Sequence, residues 1–405
     1  MTTTSSTFID RSSTILAHLE ETGQLKQLQL IESPMGPTIS IRGRGEVDCF
    51  CSNNYLGLAN HPDVVEAGIE GLRKYGAGTS SVRFICGTFA PHEVLEERIA
   101  SFLGVESSYT FVSCWNATEA TFPTLCQDGD VIVSDELNHA CIIDSMRLTT
   151  AIHRDVSKCI YKHSDMDSLR QALSQAIDKR SINGSIFVVT DGVFSMEGDI
   201  ALLPEIRSLC DEFSAVLVLD DSHGTGVMGK TGRGTHEHYD MAGADIDIFT
   251  GTLGKALGGA AGGYVAGKRE AVELLVQRGR PTLFSNALPV TVACSAKAAI
   301  DTLDSSPDLV QKLRGNVKSA RRGIAETGFE VLESPTAICP IIVGETATAI
   351  AMSAKLLDMG CFAIGFGYPV VPEGTARIRV QISAAHDQEH IDRLCEALKM
   401  LKSNP

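Results

Sequence analysis

ADIDIFTGTLGKALGG, residues 244–259, reads as a buried strand running into a turn where one lysine, Lys255, stands among glycines 251, 254, 258 and 259. Ordering a lysine side chain costs roughly 2 kcal/mol of rotamer entropy, and a turn stripped of side chains offers little packing to offset it. Two chemistries would justify the cation: a clamp on a phosphate, or an amine that bonds covalently to a carbonyl. If the turn opens a helix, Thr252 and Lys255 share one side of it. Gly258 and Gly259 leave room for backbone or a flat ligand to approach.

Further apolar runs flank this one: YTFVS, DVIVSDE, SIFVVTDGVF and AVLVLDDSH before it, GGYVAG after it. Helical periodicity falls between several of them, as in DSLRQALSQAIDKR and LPEIRSLCDEF. This alternation predicts an α/β fold, a mostly parallel sheet covered on both faces. In open sheets of this kind, ligands gather at the carboxyl ends of the strands. Those ends carry His139 in DELNHACIIDS, Ser195 in TDGVFSMEGD, and Asp220, Asp221 and His223 in VLVLDDSH. Taken alone, the last cluster fits a divalent metal, a cofactor contact or a structural ion-pair cluster. A carboxylate suits a ring nitrogen, an imidazole a ring face and a hydroxyl a ring oxygen. A Schiff-base lysine therefore accounts for the whole set, whereas a phosphate clamp accounts only for Lys255 and Thr252.

GTGVMGKT, 224–231, matches the fixed positions of a nucleotide P-loop. Its context does not, because GRGTHEHYD follows where a phosphate-supporting helix should begin. The segment reads as a glycine-rich surface loop. With 50 acidic against 35 basic residues, the net charge of −15 argues against nucleic acid or an anionic membrane as partner. No apolar run is long enough to span a bilayer, and MTTTSSTFIDR lacks the features of a secretory or transit signal. The 12 cysteines are scattered, with CFC at 49–51 the one close pair, a usage that suits a reducing cytoplasm and no cysteine-built metal site.

The expected organisation is an amino-terminal arm over 1–59, with an amphipathic helix over 15–28, then a large domain over 60–290. A smaller α+β domain occupies 291–405. A helix is expected in HPDVVEAGIEGLRKYG, with apolar residues at 64, 65, 69 and 72, Pro62 in its first turn and Gly76 as its stop.

The order NNYLGL (53–58), SSVRFICGT (80–88), DELNHACIIDS, TDGVFSMEGD, DDSHGTG, GTLGKALGG, LFSNALP (283–289) and ARIRVQISAAH (376–386) resembles the α-oxoamine synthase family of fold-type I pyridoxal-phosphate enzymes. The resemblance runs from about residue 30 to the end. It implies a seven-stranded large-domain sheet, pyridoxal 5′-phosphate (PLP) held covalently by Lys255, and no metal. Lys255 would also move the substrate proton. Asp220 would pair with the ring nitrogen, His139 would stack on the ring, and His223 and Ser195 would reach its phenolic oxygen. The phosphate would lie against Ser113, Cys114, Trp115 and Thr252, with Ser285 donated by a partner subunit of a homodimer. Asn53, also from the partner, and Arg379 would hold an amino-acid carboxylate. The implied activity is condensation of glycine with acetyl-CoA to 2-amino-3-oxobutanoate and CoA, or the reverse cleavage. A related enzyme using alanine, serine or a longer acyl thioester is the alternative.

Arg377 shares a strand face with Arg379, and residue chemistry alone does not separate them. In SCWNATEATF, Asn116, Thr118 and Glu119 depart from the family's usual residues. Glu119 would repel a phosphate unless it points away. Lys26, Arg42, Arg44 and Arg280 are candidates for CoA phosphates, or ordinary surface charges.

Overall fold

Alternate residues of the central strands feed two separate apolar clusters, one on each face of a sheet. Val131, Val133, Ile186, Val188, Leu217 and Leu219 lie in one, and Ile132, Phe187, Val189 and Val218 in the other. The period-two geometry of a strand requires this split, and helices on both sides explain why the runs are almost continuously apolar. Each large side chain so withdrawn contributes about 1.5–3 kcal/mol before conformational entropy is charged against it.

The computed structural model describes residues 4–306 and 308–403; Met1–Thr3 of the stretch MTTTSSTFIDR lie outside it. The seven strands stand in the order Ser107–Phe111, Gly263–Gly267, Ile248–Thr252, Val216–Asp220, Ile186–Asp191, Val131–Asp135 and Ser157–Tyr161. Only Gly263–Gly267 runs against its neighbours. The expected α/β sheet is therefore present, mostly parallel. A smaller antiparallel sheet follows in the carboxyl-terminal part, with Ala376–Gln381 between Ile338–Gly344 and Ile364–Phe366. The amino-terminal hairpin Thr38–Ile41 and Gly45–Cys49 joins that part, because Cys361–Phe362 pairs parallel to its second strand.

Three local expectations need correction. The first helix is Thr4–Glu21, earlier than 15–28, since Gly23 at φ 67° turns the chain out of the helix and donates back to Glu20 O. Helix Pro62–Tyr75 buries Val64, Gly68 and Gly71, leaving Val65 and Leu72 exposed. Its glycines lie against helix Val290–Ser305, where a Cβ on Gly68 would sit 2.5 Å from Ser295 Oγ. Lastly, no helix follows the strand that leads to Lys255; residues 253–261 are bends and turns, with Gly258 and Gly259 at positive φ.

Candidate active site

Strand Val216–Asp220 ends on a carboxylate with fixed partners: Thr250 Oγ1 donates to Asp220 Oδ2 at 2.8 Å, and Ser222 N donates to Oδ1 at 3.1 Å. Asp221 does not join it. Its carboxylate accepts from Thr225 Oγ1 at 3.0 Å, Thr235 N at 3.0 Å and Thr235 Oγ1 at 2.5 Å. Burial raises this carboxyl to about 7 against those hydrogen bonds. The segment 224–234 wraps around it and is mostly buried, which corrects the surface-loop expectation. A Cβ on Gly224 or Gly234 would stand 2.0 Å from an Asp221 oxygen, so these glycines serve close approach to a side chain. The helix that follows is the single turn Thr235–His238, which is not the phosphate-supporting helix of a P-loop.

Lys255 Nζ lies 2.9 Å from His223 Nε2, and His223 Nδ1 lies 2.8 Å from Tyr55 Oη. Burial lowers the Lys255 amine from its ordinary value, while Asp220, Cys114 and Asp191 raise it. Burial, with Lys255 and Arg379 nearby, holds the His223 imidazole well below its ordinary value. The pair therefore combines a neutral imidazole with an amine whose charged form is disfavoured. Thr252, at the strand end, accepts from Gly254 N at 3.1 Å and donates to Gly262 O at 3.3 Å, bracing the lysine turn.

His139 caps helix Ala140–Ile152, its Nδ1 accepting from Cys141 N at 3.2 Å and its own N–H donating to Asp191 Oδ2 at 3.0 Å. Trp115 meets its ring edge-on, centroids 6.3 Å apart. Trp115 belongs to the first turn of helix Cys114–Leu125, capped by Ser113 Oγ, which accepts from Asn116 N at 3.1 Å. That turn leaves the N–H groups of Cys114 and Trp115 without intrahelical acceptors, a natural seat for an anion. Cys114 Sγ lies 3.6 Å from Asp220 Oδ2, which ties the helix start to the strand end. Of the atypical residues here, Thr118 is buried and donates to Cys114 O at 3.0 Å. Glu119 accepts from Asn116 Nδ2 at 3.3 Å and lines a cleft of about 500 Å³ with Arg278 and Arg280.

Arg379 and Arg377 are separated by their partners. Arg377 Nη1 donates to Glu197 Oε1 and Met196 O, each at 3.0 Å. Arg379 Nη1 donates to Ser195 O at 3.0 Å, its guanidinium stands 4.8 Å from the Phe366 ring centroid, and its Nε is buried without a partner. Ser195 thus enters this network through its carbonyl. Asn53, which the family resemblance gives to a partner subunit, accepts from Gln381 Nε2 of its own chain at 2.5 Å. Ser285 is not joined to the Lys255 group by any hydrogen bond among the described residues. It lies at the end of helix Arg280–Phe284, in a narrow cleft with Arg83 and Asn116. Arg42 and Arg44 are engaged by Glu32 and Asp358.

Tyr55, Gln381, Thr250 and Asp191 complete the site and were not singled out from sequence. Gln381 had a signal, since period two carries Arg377, Arg379 and Gln381 to one strand face. Asp191 is fully buried, and burial, reinforced by Asp220, pushes its carboxyl well above the ordinary range. Its Oδ1 has no partner.

These groups suit one cofactor. A buried carboxylate, an amine whose charged form burial disfavours and an imidazole at a helix start lie close enough to act on one another's charge, and two buried polar atoms, Arg379 Nε and Asp191 Oδ1, have no partner. A phosphorylated pyridine aldehyde fits the first three groups: Lys255 would take the aldehyde, Asp220 the ring nitrogen, and the helix start, with His139 beside it, the phosphate and ring.

The model of the aminotransferase class I and II family matches residues 48–398. The chain belongs to that family. It is 45% identical over 384 residues to an 8-amino-7-oxononanoate synthase from Thermoanaerobacter pseudethanolicus, covering 95% of this chain and 94% of the relative. The human mitochondrial 2-amino-3-ketobutyrate coenzyme A ligase is 45% identical over 376 residues, 93% and 87% of the two chains. Among solved structures, a serine palmitoyltransferase from S. paucimobilis with bound PLP–myriocin aldimine superposes with a TM-score of 0.90 at 26% identity, covering 98% of each chain. These relatives set the chain among the α-oxoamine synthases, as a PLP-dependent enzyme.

Proposed function

We propose that the protein is a glycine C-acetyltransferase, joining glycine to acetyl-CoA to give 2-amino-3-oxobutanoate and CoA, or running the reverse cleavage. The observation that carries this reading is the position of Arg379. Its Nη2 joins the network of Lys255 and His223 through Gln381 and Tyr55 while its Nε has no partner, which suits the carboxylate of a small amino acid. The human relative's name and 45% identity support the same substrates.

PLP, when bound, supplies an electron sink for the carbon that loses its proton. Lys255 holds the cofactor and accepts the α-proton as a free amine. With the cofactor bound, Asp220 would keep the ring nitrogen protonated and His139 would cover the ring. His223 would hold the phenolic oxygen, with Ser195 alongside. Ser113, Cys114, Trp115 and Thr252 would bind the phosphate, and Arg379 with Asn53 would orient the carboxylate. A bond forms between the glycine α-carbon and the acetyl carbonyl carbon, the C–S bond breaks, and the thiolate leaves to take up a proton.

Two copies complete the site in this reading, with Ser285 reaching the other subunit's phosphate. Phe84, Ile85 and Phe284, exposed around Ser285, support an apolar contact there. The 12 cysteines, scattered along the chain, support the cytoplasm as its compartment.

A second reading has a specific support, the 45% identity to an 8-amino-7-oxononanoate synthase, and would replace glycine by a larger amino acid and acetyl-CoA by a longer thioester. A matrix of small amino acids against acyl-CoAs, followed by release of free thiol, decides between them. Fastest turnover is expected with glycine and acetyl-CoA; faster reaction with alanine, serine or a longer acyl group would reject the first reading.

A further inference from the structure

We propose that Tyr55 and Gln381 are positioning residues that fix the tautomer of His223, and so hold Lys255 as the neutral amine that the reaction requires. The inference rests on the reading of Lys255 as the acting amine and adds the groups that set its proton.

Arg379 can only donate. The Gln381 atom 3.4 Å from its Nη2 is therefore the amide oxygen. The amide nitrogen then faces Tyr55 Oη at 2.9 Å and Asn53 Oδ1 at 2.5 Å, and donates to both. Turning the amide over would set its oxygen against the Asn53 oxygen and its NH2 against the guanidinium. With Gln381 donating to the phenolic oxygen, the one proton of Tyr55 goes to an acceptor. His223 Nδ1 lies at 2.8 Å, while Asn53 Oδ1 lies at 3.4 Å and already receives Gln381. Burial pushes the Tyr55 phenol up to about 12, so it retains that proton at neutral pH.

Nδ1 of His223 is thus an acceptor. The ring is neutral, held so chiefly by burial, with the Arg379 guanidinium also opposing its charge. Its single proton therefore sits on Nε2, pointing at Lys255 Nζ 2.9 Å away. A donor aimed at this nitrogen needs a lone pair, which an ammonium lacks. The other groups around the amine pull in both directions: Asp220, Cys114 and Asp191 favour the ammonium, Arg379 and burial oppose it, and His139 also faces it. The tautomer imposed through Tyr55 adds to the side of the free amine. Without the phenol, His223 can move its proton to Nδ1 and accept from a lysine ammonium instead.

The test uses the full chain freed of cofactor. Isotope-labelled histidine ring nitrogens, with the His223 signals identified by their loss in His223→Gln, report the tautomer by NMR. The expected pattern at neutral pH is a protonated Nε2 and a bare Nδ1. In parallel, the pH dependence of acylation at Lys255, followed by peptide mass spectrometry, gives the amine's titration. Tyr55→Phe is expected to move that titration upward by about one pH unit or more, roughly a tenfold drop in free amine at fixed pH. Gln381→Leu should move it in the same direction, with circular dichroism checking that both variants fold.

A wild-type His223 protonated on Nδ1, or an unchanged Lys255 titration in folded variants, would overturn the proposal. Should Tyr55→Phe fail to fold, the wild-type tautomer still decides. These readouts need no turnover, so a wrong substrate would leave them intact and show itself only in the thiol-release assay.

Discussion

Arg377 and Arg379 lie on one face of strand Ala376–Gln381, yet Arg377 is tied to Glu197 at 3.0 Å while Arg379 keeps a buried Nε without a partner. The first is a structural ion pair and the second is the proposed carboxylate ligand. Arg379→Gln is expected to raise KM for the amino acid by about 10- to 100-fold, in line with roughly 1.5–3 kcal/mol for a hydrogen bond to a charged group, with the thermal midpoint little changed. Arg377→Gln should do the reverse. It leaves the half-buried Glu197 carboxylate without its partner and costs roughly 1.5–3 kcal/mol of stability. Steady-state kinetics and denaturant unfolding of the two variants separate the roles. A large KM effect in Arg377→Gln with none in Arg379→Gln would reverse the assignment.

His163 gives stability a defined pH dependence. Burial opposes its charge, but hydrogen bonds to Asp135 at 3.1 Å and Asp199 at 2.7 Å outweigh that and raise the imidazole to about 10. Because this folded value lies above the unfolded one, the contribution is fully present below pH 6.5 and is lost as pH rises through about 10. The gap in thermal midpoint between wild type and His163→Gln should be widest below pH 6.5 and close on the alkaline side. A gap that is constant with pH would show that the histidine carries no charge there.

The chain contains a single tryptophan, Trp115, at the start of the proposed phosphate-binding helix and edge-on to His139. Adding pyridoxal 5′-phosphate to cofactor-free enzyme should quench its fluorescence in a saturable manner, whereas Trp115→Phe should lose the signal and still take up the cofactor. Saturable uptake without any change in Trp115 emission would place the cofactor elsewhere.

The large sheet was legible because each strand is an almost unbroken apolar run ending in polar residues, and that pattern depends only on local spacing. Helix Pro62–Tyr75 was legible in its limits, set by Pro62 and Gly76, but its buried face was not. Val65 and Leu72 look like core, whereas the contact is made by Gly68 and Gly71, whose value lies in what they leave out. The burial of segment 224–234 was hidden for a related reason: its glycines exist to let backbone close around Asp221, a partner that spacing does not reveal. Lys255, His223 and Asp220 could be found as strand-end residues. Tyr55 could not, because it comes from a segment far away in sequence and meets His223 only through the fold.

Borohydride reduction of the purified enzyme, followed by peptide mapping, asks directly which amine carries the cofactor. The mass of reduced pyridoxal phosphate is expected on the peptide containing Lys255, and should be absent from Lys255→Ala. Attachment at Lys230 instead, or no reducible bond in cofactor-loaded wild type, would contradict the assignment.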